Sequence, residues 1–89
     1  MKAVITVTAK DAKGIIAKVS AAVSEHEANI VDISQTVMGE YFAMIMLIEL
    51  DEKQKRFSEL SDALSKLGKE NGLDIHAMHE DIFNSMHRI

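Results

Sequence analysis

From Ala3 to Ala9 the chain reads AVITVTA, with Ala3, Ile5 and Val7 alternating against Val4, Thr6 and Thr8, a period of two that predicts a strand. From Ile15 the period lengthens: Ile15, Ile16, Val19, Ala22, Val23 and His26 recur at helical spacing while Lys18, Ser20 and Glu25 point elsewhere, predicting an amphipathic helix. The intervening KDAKG carries Asp11, an acceptor suited to capping that helix, and Gly14, which lets the backbone turn sharply. After Glu27, Val31, Ile33 and Val37 alternate with Asp32, Ser34 and Thr36, a half-solvated second strand. Gly39 suits a two-residue type II′ turn into YFAMIMLIEL, so strands two and three form a hairpin. Strand three, Tyr41 to Leu50, is apolar on both faces, which marks it as central and calls for a cover that one helical layer cannot give. Asp51 with Gln54 resembles a capping box, and Phe57, Leu60, Leu64 and Leu67 then recur until Asn71 and Gly72 end a second helix. LDIHAMH, Leu73 to His79, predicts a short fourth strand, and EDIFNSMHRI puts Ile82, Phe83, Met86 and Ile89 on one stripe of a short helix.

The order β, α, β, β, α, β is two β-α-β halves joined by the hairpin, the ferredoxin-like arrangement of the α+β class. Right-handed crossovers place strands one and three in the middle. The expectation is therefore a four-stranded antiparallel sheet of order 4-1-3-2, two helices on one face, and a short C-terminal helix. A length of 89 residues suits one domain, with its core at about 3–79 and a helical tail at about 80–89. So small a domain buries only about two-thirds of its unfolded surface, and association is a natural way to add burial. A homodimer or higher homo-oligomer is expected.

Composition narrows the chemistry. Apolar residues make up 47% and charged residues 27%, ordinary globular proportions. Without cysteine there are no disulfide staples, thiol nucleophiles or thiolate metal sites, which fits a reducing, cytoplasmic setting. The N-terminal MKAVITVTAKD has the pattern of neither a signal peptide nor a membrane span. A net charge of −4 with dispersed lysines withholds the electrostatic drive for nucleic acid or anionic membranes.

The fold hosts many activities, so each is tested on its residues. RNA readers stack bases on aromatics of strands one and three, and strand one has none. Acylphosphatase chemistry uses an arginine in the first strand-to-helix loop, where KDAKG has only lysines. His76 and His79, an odd number apart, face opposite sides of a strand, His26 and His87 stand elsewhere, and no carboxylate or thiol set completes a metal site. Met44 and Met46 read as core packing or a pliant interface. No catalytic grouping, cofactor motif or phosphate loop is present.

The strand-one run, the KDAKG turn with Gly14, the EHEANIVDISQTV segment with Asn29, and YFAMIMLIEL together resemble ACT domains from Ala3 to His79. In particular the chain looks like the small stand-alone bacterial and archaeal ACT proteins related to the ACT domains of the glycine cleavage system repressor. Where that family commonly has Pro-Gly in the first turn, this chain has Lys13 and Gly14. The resemblance implies a non-catalytic regulatory module that binds an amino acid or other small effector at a subunit interface, near the first turn and the start of strand two. Residue by residue that site is Asp11, Ala12, Lys13, Gly14, Ile15, Asn29 and Ile30.

Physical chemistry gives those residues a matching role. The N–H groups at the start of helix one, near Ala12 to Ile15, sit at the positive end of the helix dipole and suit a ligand carboxylate. Asp11 suits an ammonium group, and the Asn29 amide suits either. Purely structural roles stand beside these: Asp11 as a cap, Gly14 for tight packing, Asn29 in a turn. Two readings follow, an amino-acid sensor acting on a metabolic enzyme or transcription regulator, and a ligand-free dimerisation module.

Overall fold

A computed structural model describes residues 1–10, 13–51 and 54–87, with the side chains of residues 54 and 55 outside the description. Its elements are β1 (Lys2–Ala9), α1 (Ile15–Glu25), β2 (Asn29–Met38), β3 (Tyr41–Glu49), α2 (Gln54–Asn71), β4 (Asp74–His79) and α3 (Glu80–Met86). The strands form one antiparallel sheet in the order β2-β3-β1-β4, the expected 4-1-3-2 arrangement read from its other edge.

Register assigns every strand residue to a face, because residues directly opposite one another point the same way. On one face Ile5 lies between Met46 and Ala77, and Val7 lies between Met44 and Ile75. That face meets Ile15, Val19 and Val23 of α1 and Leu60 and Leu64 of α2 in the hydrophobic core. Burying one such aliphatic side chain contributes about 1.5–3 kcal/mol, so this layer holds the domain together. The other face carries Val4, Thr6 and Thr8 of β1 opposite Leu47, Ile45 and Ala43 of β3. The molecule measures 38 × 33 × 19 Å, and its thin dimension holds one sheet and one layer of helices.

One expectation needs correction. Strand β2 is exposed at all ten positions, where sequence alternation implied one covered face. The apolar stripes of α1 and α2 cluster with the inward rows of β1 and β3, and no β2 residue belongs to that cluster. A register shift between Ile30 and Asp32 also makes Val31 a bulge, so it leaves the row of Ile33 and Val37. The N-cap position of α1 is held by Gly14, at φ 74°, and among the described residues no side chain caps the helix. Asp11 and Ala12 lie outside the described residues, as does the capping arrangement expected through Gln54.

The outer face of β3 is less covered than expected, with Tyr41 55% and Ile45 45% exposed. The tail helix α3 lies against β1 and β4, at the edge where Val4 of the outer face is buried. Ile82 and Met86 of its apolar stripe stay exposed, while Phe83 stacks on His87. The hairpin closes as expected: Met38 pairs with Tyr41, and Gly39 takes φ 61°, the positive value a type II′ turn needs at its first position.

Where α2 turns into β4 the backbones come close. A Cβ on Gly68 would stand 2.7 Å from the Leu73 carbonyl oxygen, whose own N–H bonds the Gly68 carbonyl at 2.9 Å. Gly68→Ala gains about 1 kcal/mol of helix propensity but meets backbone that cannot rotate away, and overpacking costs about 1–3 kcal/mol. We expect a net loss near 1 kcal/mol and a Tm about 4–8 °C lower for a domain of this size. A rise in Tm would show that the turn yields freely.

Candidate functional site

The ends of β1 and β4 bring two turns together. Because β4 pairs with β1, the α2–β4 turn stands beside the β1–α1 turn, and a hollow of about 160 Å³ opens between them. Lys13, Ile15 and Lys18 line one side, Asn71 and Leu73 the other. Ile15 is buried and anchors α1 to the core, while Gly14 in the left-handed conformation swings the chain into the helix. Among the described residues no side chain caps α1 and none in its first turn is acidic, so the amide groups there favour an anion. The Lys18 ammonium donates to Asn71 Oδ1 at 2.8 Å, which adds positive charge and ties the two helices together.

Of the expected site, Lys13, Gly14 and Ile15 are gathered here. Asn29 and Ile30 are not. They begin β2, opposite Glu49 and Ile48, and therefore lie at the end of the sheet where β1 starts. The eight residues of β1 separate the two groups by about 25 Å. Lys18 and Asn71 were missed by sequence reasoning. The strand order alone was a sufficient signal, since it sets the start of β4 against the end of β1.

A second, larger hollow of about 500 Å³ opens at the same end of the sheet. Thr8 of β1 pairs with Ala43 on one side and Asp74 on the other, and Met38, Tyr41 and Lys10 surround this row. Asp74 Oδ1 lies 3.0 Å from His76 Nε2. At the opposite end, α1 finishes in a Schellman turn: Glu27 at φ 58° bonds the Ser24 carbonyl, and Ala28 bonds the Val23 carbonyl. Arg56 pairs there with Glu27 and reaches Asp51 at 3.8 Å, exposed contacts worth under about 1 kcal/mol each.

The described residues include no buried polar or charged side chain. Among them no group of three or more histidines and carboxylates is placed to hold a metal ion, and no helix is long and apolar enough to cross a membrane.

Comparison with known proteins gives a consistent picture. The model of the ACT domain family, ACT_6, matches residues 2–78. A UPF0237 protein of Clostridium perfringens is 51% identical over 89 residues, covering 100% of both chains. The solved ACT domain protein from Streptococcus pneumoniae superposes with a TM-score of 0.82 at 42% identity, covering 98% of each chain. A putative glycine cleavage system transcriptional repressor, also solved, gives a TM-score of 0.72 at 26% identity over 89% of this chain and 47% of that one. With its βαββαβ sheet, its glycine turn into α1 and these relatives along its whole length, the chain belongs to the ACT domain family, among the stand-alone UPF0237 proteins.

Proposed function

We propose that this chain is a non-catalytic regulatory module that binds an amino acid as a homodimer and passes its occupancy to a metabolic enzyme or transcription regulator in the cytoplasm. The observation that carries the reading is the bare edge of β2. All ten of its residues are exposed, yet it holds one charged side chain, Asp32. Edge strands of monomers are normally blunted by charge, proline or brevity, and a long edge with so little charge is a template for another strand. The chain exposes 5941 Å². A 9.9 kDa monomer typically exposes about 5200 Å². The excess of roughly 700 Å² is close to the ~800 Å² per partner of a standard interface.

Antiparallel pairing of two β2 edges about a two-fold axis would also bring the two groups of residues to one end of the sheet. It sets Asn29 and Ile30 of one copy beside Val37 and Met38 of the other, at the end where Gly14 lies. A hollow of 160 Å³ is small beside the ~300–1,000 Å³ of most ligand sites, so completion by a second copy fits it well. The same small size favours the second reading, a dimerisation module without a ligand.

A thermal-shift screen against the common amino acids separates the two, because a ligand that binds only the folded state raises Tm by mass action. For the amino acid that shifts Tm, Asn29→Ala is expected to weaken binding by about 1.5–3 kcal/mol, ten-fold to more than a hundred-fold. No shift with any amino acid leaves the ligand-free module. Unchanged affinity in a folded Asn29→Ala dimer places the site elsewhere.

A further inference from the structure

We infer that the hollow at the hairpin end of the outer sheet face is a second ligand site, built for a free α-amino acid with an apolar side chain. The inference takes its class of ligand from the reading above, but shares no lining residue with the Gly14 hollow. Its size, about 500 Å³, lies within the ordinary range for small-molecule sites, roughly 300–1,000 Å³. Its floor is low because Thr8 and Ala43, neighbours across β1 and β3, have short side chains. Its wall is high because Tyr41 and Met38 face each other across the last pair of the hairpin. Tyr41 is 55% and Met38 66% exposed, so an apolar group lying on the floor would remove apolar surface from water on both partners.

The charges complement a zwitterion. Lys10 follows the end of β1 and suits a carboxylate, while Asp74 begins β4 beside Thr8 and suits an ammonium group. His76, 3.0 Å from the Asp74 carboxylate, helps to hold it in place. Thr8, paired with Asp74 and two residues before Lys10, offers a hydroxyl beside them. Pairing of two copies through β2 leaves this face of the sheet open, so both sites can be filled in one dimer.

The probes are L-phenylalanine, L-leucine and N-acetyl-L-phenylalanine, titrated by calorimetry into the intact protein. Both free amino acids are expected to bind, and the acetylated probe, which lacks the ammonium group, to bind about ten-fold more weakly or not at all. Asp74→Asn and Lys10→Gln replace exposed residues, and each is expected to weaken L-phenylalanine by about ten-fold or more in a protein whose circular dichroism is unchanged. Equal binding of both phenylalanine probes overturns the inference, because the charges are then unused. Weakening by Asn29→Ala but not by Asp74→Asn overturns it while upholding the interface site. Weakening by Asp74→Asn alone supports it. If neither amino acid binds, or if Tyr41→Ala changes the oligomeric mass, the hollow serves another purpose and the inference fails.

Discussion

Ile33→Lys is expected to leave the domain folded and to turn the proposed dimer into a monomer. Ile33 lies near the middle of the bare edge, opposite Met46, and is 37% exposed. In the monomer a lysine there can lay its stem along the sheet and keep its charge in water, so the fold loses little. Across a two-fold axis one substitution becomes two, and the paired edges would face each other with two new positive charges. Like charges set against one another at an interface cost several kcal/mol, which weakens association by roughly a hundred-fold or more. Light scattering from micromolar upward reads the result directly. Met86→Lys, at a more exposed apolar position on α3, serves as the control and is expected to leave the mass unchanged. A dimer that survives Ile33→Lys would remove β2 as the interface and turn attention to the outer face of β3.

The largest loss of stability is expected at Met46. It is fully buried, stands between Ile5 of β1 and Ile33 of β2, and faces the helices from the central strand. Truncating a buried methionine to alanine costs about 2–5 kcal/mol, because the lost transfer energy is joined by the cavity left behind. A domain of 89 residues has a total stability of about 4–13 kcal/mol, so Met46→Ala removes a large fraction of it. Met46→Leu nearly conserves volume and is expected to cost less than about 1.5 kcal/mol. Urea denaturation of the pair checks both. A loss below about 1 kcal/mol in Met46→Ala would mean that the core collapses into the space and is less tightly packed than its burial indicates.

The topology was legible because local periodicity and handedness constrain it. Alternation marked β1, a run apolar on both faces marked β3, the three-to-four spacing of Phe57, Leu60, Leu64 and Leu67 marked α2, and right-handed crossovers ordered the sheet. Periodicity stops short of saying how far the helical layer reaches. For β2 the alternation of Val31, Ile33 and Val37 looked like a covered face, and the strand lies beyond the cover. A bulge is equally silent in sequence, so Val31 was assigned to a row that it leaves. The candidate site was half legible. Gly14 and Ile15 announced a turn into a helix, but the distance of Asn29 follows only from β1 and β2 running parallel on either side of β3. Lys18, Asn71 and Asp74 required the neighbours of β1, which residue spacing alone does not supply.

The sheet order also sets a schedule for synthesis. β1 is the first strand to leave the ribosome, yet its partners are β3 and β4, and Ala3 waits for His79, 76 residues later. At about 5–20 residues per second that interval lasts roughly 4–15 s. Throughout it the nascent chain can close the β2–β3 hairpin, while β1 keeps at least one edge without its native neighbour. The bare edge of β2 is complete long before the sheet that carries it. A nascent chain of this design therefore presents a strand-forming edge with a single charged side chain to its neighbours on a polysome before its own fold can restrain it, and crowded translation is where premature pairing between copies is expected to begin.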